Sequence, residues 1–276
     1  MERRLEKLAD QAVDVAVETG DPIGHVLAER LASEASAELA ETLMHLCNKK
    51  DRDQSVSLRE VALQTTRMCV DACRARWQDS DPKQRLELAE LLSNLARRLS
   101  ALGRHYEAIE AGRESIGHFG RLATDHPDSF FVGLTASLNN LALALAASGR
   151  NEEALESILE AVERSRPLAA QRPEDYVHDY VTSLNNLGKI RDDLGNHEEA
   201  TTAYREAMEL CRRMVGVRPG NLLGIEARCL ANLAKSLSAV GRRQEALDAI
   251  HESVARYRDL AAAWPDSFHP GLATRV

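Results

Sequence analysis

The chain has 276 residues, 44% of them hydrophobic, 28% charged and only 4% aromatic, with a formal net charge of −8 and a pI near 5.7. This composition leans to helix, because strands draw on aromatic and β-branched residues. An acidic balance without a Lys/Arg-rich run argues against nucleic acid or a membrane surface as the ligand, and no run of apolar residues is long enough to span a bilayer.

In chain order, the Met1–Lys7 start is charged and leads into no apolar core of a secretion signal. Residues 1–36 read as an N-terminal helical segment, two short amphipathic helices parted at Thr19-Gly20-Asp21-Pro22. Residues 37–81 read as a degenerate first repeat: Leu46 and Asn48 match Leu92 and Asn94 downstream, and Ala62-Leu63 matches Ala108-Ile109. The polar stretch from Asn48 to Asp53 cuts its first helix short. The five cysteines (Cys47, Cys69, Cys73, Cys211 and Cys229) are odd in number and lack a disulfide-framework spacing, so reduced thiols in a cytoplasmic protein are expected. Cys69 and Cys73 stand one turn apart, but tetrahedral zinc needs two further ligands; buried thiols, and no metal, are the reading adopted.

From residue 82 the chain repeats. Pro127, Pro173, Pro219 and Pro265 stand 46 residues apart, and so do Gly103, Gly149, Gly195 and Gly241. The Asn-Leu pairs starting at Asn94, Asn140, Asn186 and Asn232 keep the same interval, as do the Glu-Ala pairs starting at Glu107, Glu153, Glu199 and Glu245. A fixed period over independent markers is the signature of a repeat array. The array comprises four units, 82–126, 127–172, 173–218 and 219–264, and a truncated fifth repeat at 265–276 that opens on Pro265-Asp266-Ser267-Phe268, a copy of Pro127-Asp128-Ser129-Phe130.

Each unit reads as two helices. Leu134, Leu138, Leu141 and Leu145 step by four, three and four along one helical face. Gly149 stops that helix, since the residue after a helix end usually needs φ > 0. Asn151 is expected to cap the second helix, whose apolar face is Ala154, Ile158, Ala161 and Val162. Pro173 closes the unit by barring its predecessor from the α region. Ala108, Ala154, Ala200 and Ala246 on second helices, facing Ala96, Ala142, Gly188 and Ala234 on first helices, keep each pair close.

The run Leu138-Asn139-Asn140-Leu141-Ala142, then Leu145, Gly149, Ala154, Ile158 and Ala161, resembles the tetratricopeptide repeat, and Gly188, Tyr204 and Ala207 bring the third unit nearest to it. The usual unit is about 34 residues, so these carry roughly 12 more; such long units resemble those of kinesin light chains and bacterial signalling proteins. The resemblance implies an all-α fold, a right-handed superhelical solenoid of antiparallel helix pairs. It also places the first helices on a concave groove that takes a protein or peptide segment.

On that surface the resemblance sets a ladder of asparagines: Asn94, Asn140, Asn186 and Asn232, with Asn139 and Asn185 beside two of them. Amides offer donor and acceptor together, so a row of them suits a peptide backbone of any sequence. Arg97, Lys189, Lys235 and Arg228 add positive charge, which suits an acidic segment or a free C-terminal carboxylate. A second use, compatible with the first, is that each Asn bonds the neighbouring helix. The chain contains no phosphate-binding loop, zinc-protease helix or nucleophile elbow, so neither cofactor nor catalytic residue is expected. A non-enzymatic scaffold is the leading expectation, and a ligand- or peptide-sensing domain of a larger signalling protein with an NTPase or protease effector the alternative. The last helix of the array would leave an apolar face for self-association through the C-terminal end.

Overall fold

The computed structural model describes residues 56–78, 81–125, 129–214 and 219–263. The N-terminal segment, the first half of the degenerate repeat with Cys47, and the truncated fifth repeat lie outside the described residues. Among the described residues all regular structure is helical: α1 (Val56–Ala75), α2 (Pro82–Ala101), α3 (His105–Asp125), α4 (Phe131–Ala147), α5 (Asn151–Gln171), α6 (Pro173–Asp193), α7 (His197–Met214), α8 (Pro219–Ala239) and α9 (Arg243–Ala263). None of these helices is long and apolar enough to cross a membrane.

The chain divides into two units after Gly133. In the first, α1 packs on α2 and α2 on α3; in the second, α5, α6, α7, α8 and α9 each pack on the next, and α6 also touches α8. Consecutive packing with one skip contact between first helices is the connectivity of an all-α repeat fold.

The punctuation of the sequence accounts for the helix ends. Gly103, Gly149, Gly195 and Gly241 have φ between 73° and 81°, a region in which a β-carbon would clash. The reversal lets the next amide return to the helix: Arg104 N donates to Leu99 O at 2.9 Å, Arg150 N to Leu145 O at 2.9 Å, Asn196 N to Arg191 O at 2.8 Å and Arg242 N to Leu237 O at 2.8 Å. This is the six-to-one bond of the Schellman end. Pro82, Pro173 and Pro219 occupy the first positions of α2, α6 and α8, where a missing N–H costs nothing. Asp81 caps α2 by accepting from Lys83 N at 2.9 Å.

One expected cap is not formed. Asn151 is the first residue inside α5, and the cap is Arg150, whose side chain makes no capping bond. Arg150 Nε instead donates to Glu153 Oε1 at 2.6 Å, and Arg104–Glu107 and Arg242–Glu245 repeat the contact at 2.6 Å on α3 and α9. Asn151 is thus an ordinary first-turn residue, and the acidic Glu152 and Glu153 of the same turn suit the positive end of the helix.

Within each pair the small residues do what their size dictates. Ala108, Ala142, Ala154 and Ala200 are wholly buried, and a β-carbon built on Gly188 would lie 2.5 Å from the ring of Tyr204. The Tyr204 hydroxyl donates to Asp192 Oδ2 at 3.1 Å. Among the described residues Cys69, Cys73, Cys211 and Cys229 are buried thiols in no disulfide. On the outside, arginines of one second helix reach glutamates 40 residues on: Arg67 to Glu107, Arg74 to Glu114 at 2.6 Å, Arg205 to Glu245 at 2.9 Å and Arg212 to Glu252 at 3.1 Å. Exposed pairs of this kind add at most about 1 kcal/mol each, so they set register more than stability.

Burial pushes the thiols of Cys211 and Cys229 up to about 12 from 9.0, and burial followed by the bond to Glu206 pushes Tyr180 up to about 12 from 10.0. Burial and then Asp192 raise Tyr204 as well. Folded-state values above the unfolded ones mean that this stabilisation is complete below pH 9.0 and is lost as pH climbs towards 12. The urea midpoint, followed by helical circular dichroism, is therefore expected to fall between about pH 8.5 and about pH 10.5; a midpoint that holds or rises over that range would show these groups to be exposed in solution.

Candidate functional site

The second unit brings the first helices α6 and α8 side by side, and α4 enters the same unit from Leu134 onward. Four of the expected asparagines, Asn139, Asn185, Asn186 and Asn232, bond across the seams between these helices. Asn139 Nδ2 in α4 donates to Thr135 O at 2.9 Å and to Ser183 Oγ in α6 at 2.8 Å, while its Oδ1 accepts from Asn186 Nδ2 at 2.8 Å. Asn185 Oδ1 in α6 accepts from Asn232 Nδ2 in α8 at 3.0 Å and from Cys229 Sγ at 3.4 Å. In each Asn-Asn doublet the first amide thus bonds the following repeat, and Asn186 bonds the preceding one.

Two turns along α6, Asp192 extends the seam. Its carboxylate accepts from Ser236 Oγ in α8 at 2.6 Å, from the Tyr204 hydroxyl in α7, and lies 2.9 Å from His197 Nδ1. A carboxylate that is only 5% exposed needs such partners, since an unpaired buried charge is costly. Asp192, Ser183 and Ser236 were not singled out from sequence, and Cys229 was read only as a buried thiol. The signal was present: Ser183 and Cys229 keep the 46-residue interval, and both meet an asparagine 44 residues earlier.

The other expected residues sit differently. Asn94, Asn140 and Asn232 are half-buried, and Arg97, Lys189, Arg228 and Lys235 are exposed. Asn139, Asn185 and Asn186 are buried. Lys189 and Lys235 hold equivalent places on the adjacent helices α6 and α8, one turn beyond Asn186 and Asn232, and Arg228 lies one turn before Asn232. Arg97 belongs to α2 in the first unit, on the turn after Asn94. The second unit therefore offers a seam of internally bonded amides flanked by three exposed cations.

Two family profiles, both described as tetratricopeptide repeat, match residues 134–213 and 227–268. No curated protein matches the chain. Among solved structures, a putative kinesin light chain of Podosopora anserina with nearly identical TPR-like repeats is similar at 20% identity and a TM-score of 0.56, over 81% of this chain and 97% of that one. BtubC (BKLC) from P. vanneervenii is similar at 19% identity and a TM-score of 0.57, over 94% and 91%. A Rap protein complexed with Competence and Sporulation Factor reaches a TM-score of 0.63 at 15% identity, over 90% of this chain and 60% of that one. At such identities the likeness is one of fold.

Proposed function

Because the chain is built of tetratricopeptide repeats, we propose that it is a non-enzymatic scaffold that holds a protein or peptide segment against its first helices. The observation that carries this reading is the exposed trio Lys189, Lys235 and Arg228 on adjacent first helices, with the half-buried Asn232 between the last two. Cations on adjacent helices attract an acidic segment or a free C-terminal carboxylate, and the amides supply bonds to its backbone. The buried Asn139, Asn185 and Asn186 keep the helices in register beneath it. Cysteine usage favours the cytoplasm as the place where this happens.

A second reading, a sensing domain of a larger signalling protein, is favoured by the fold shared with the Rap protein solved with its factor. Under it, a ligand shifting α6 against α8 would have to exchange the Asn185–Asn232 and Asp192–Ser236 bonds. Self-association through the C-terminal end is compatible with either reading and bears on the outer face of α9.

The test is fluorescence anisotropy with a labelled acidic peptide carrying a free C-terminal carboxylate, beside an amidated and a Lys-rich version. Lys189→Glu with Lys235→Glu is expected to weaken the acidic peptide about tenfold or more at low salt, with the melting temperature unchanged because both side chains are exposed. Equal binding of the Lys-rich peptide, or an affinity indifferent to the charge reversal, would rule out this surface.

A further inference from the structure

Between α1 and α3, which both pack on α2, an open cleft of about 310 Å³ is floored by Val70, Leu92, Leu95, Leu99 and Ala111. Two ion pairs join α1 to α3 along it, Arg67 with Glu107 and Arg74 with Glu114. Asp71 and Glu110 line the same cleft. Asp71 stands between Arg67 and Arg74 on α1, and Glu110 between Glu107 and Glu114 on α3. The rung between the two ion pairs is therefore a pair of carboxylates. Both are exposed, and neither has an ion-pair partner among the described residues. Like charges sharing an apolar rim repel one another, and a cation placed there relieves both.

Three 46-residue periods on, α7 and α9 repeat this arrangement over α8, with Arg205–Glu245 and Arg212–Glu252 as the ion pairs and Glu209 and Asp248 as the carboxylates. The later copy satisfies itself. Arg213 pairs with Glu209, and Gln244 Nε2 donates to Asp248 Oδ1 at 3.1 Å. Met208 stands at the place of Val70 and is the longer side chain. In the earlier copy the residue at the place of Arg213 is the exposed Ala75, and the one at the place of Gln244 is the exposed Tyr106. The cleft at α1 and α3 thus lacks the guanidinium that its counterpart carries within the chain.

We propose that this cleft binds an arginine side chain presented by a partner protein, with the guanidinium between Asp71 and Glu110 and the methylene stem on the leucine floor. A planar fork of donors reaches carboxylates on two helices at once, and the stem packs on apolar surface while the charged head stays in water. The charge that Arg213 brings to Glu209 comes here from outside the chain. The site belongs to the first unit, whereas Lys189, Lys235 and Arg228 belong to the second. It goes beyond the scaffold reading and does not depend on it, since it takes a basic segment rather than an acidic one.

Methyl spectra of the full chain, labelled at leucine and titrated with the peptide Ser-Leu-Arg-Leu-Ser at low salt, test it. The methyls of Leu92, Leu95 and Leu99 are expected to shift and saturate. Asp71→Asn with Glu110→Gln is expected to weaken binding about tenfold, and so is Ala75→Arg, which copies Arg213 and fills the site from within. All three positions are exposed, so the fold is kept. Glu209→Gln with Asp248→Asn removes the same charge from the later copy and is expected to change the affinity less than about twofold. The proposal is overturned if those three leucines do not move, if the two neutralised pairs weaken binding alike, or if Ala75→Arg leaves it unchanged. It is equally overturned if a peptide with citrulline in place of arginine binds as well, for then the charge plays no part.

Discussion

Tyr204→Ala is expected to lower the unfolding free energy by about 3–5 kcal/mol, the range for emptying a large buried aromatic site. Tyr204 is among the largest fully buried side chains of the chain. Its ring lies against Gly188, so α6 and α7 owe their approach to this one exchange of glycine for ring. Tyr204→Phe keeps the volume and removes only the donor to Asp192, and is expected to cost about 1–2 kcal/mol, since that carboxylate keeps Ser236 and His197. Gly188→Ala meets the ring at 2.5 Å and is expected to cost about 1–3 kcal/mol in the wild type. In the Tyr204→Ala background the same change is expected to stabilise by about 1 kcal/mol, because only helix propensity remains. Urea unfolding of the four chains of this cycle checks the coupling; additive effects would mean that the ring does not rest on Gly188 in solution.

Asn139→Ala is expected to cost about 2–3 kcal/mol, more than the loss of one hydrogen bond, because it orphans partners as well. Asn186 Nδ2 loses its acceptor and Ser183 Oγ loses its donor, both in buried surroundings. Asn139→Asp retains the acceptor for Asn186 but loses the donor to Ser183 and Thr135, and brings a buried charge, so it is expected to be no better than Ala. Thermal melts beside peptide anisotropy separate the roles. A variant at Asn139 should move stability, whereas charge reversal at Lys189 and Lys235 should move binding alone. A stable Asn139→Ala chain that had lost peptide binding would instead make that amide a ligand contact.

The two predictions fall on different sides of what could be read in advance. The helix pairs, their 46-residue period and the glycine ends were legible because they rest on local rules. A positive φ, a proline at the first helical position and an apolar stripe leave their mark within one or two turns of chain. The sequence marked Gly188 as a small residue opposite Ala200; that the ring of Tyr204 lies against it is a finding of the structure.

The asparagine ladder was legible as a pattern but its bonds were not. A residue one position along a helix turns by about 100°, so Asn185 and Asn186 leave α6 in different directions, one towards α8 and the other towards α4. Which amide meets a neighbour and which turns outward depends on how far each helix is rotated about its own axis, and packing sets that rotation. Asn151 makes the same point at smaller scale: one step inward turned an expected cap into an ordinary first-turn residue.

The amino-acid sequence by itself therefore determined the repeat, its period, its glycine and proline helix ends and the basic character of residues 97, 189, 228 and 235, because each is set by neighbours along the chain. Only the tertiary structure decided that Asn139, Asn185 and Asn186 bond across the seams, that Asp192 joins them, and that Lys189 and Lys235 stay in solvent. Those bonds join residues 44 to 47 positions apart in the chain, and they exist only once packing has fixed which faces meet.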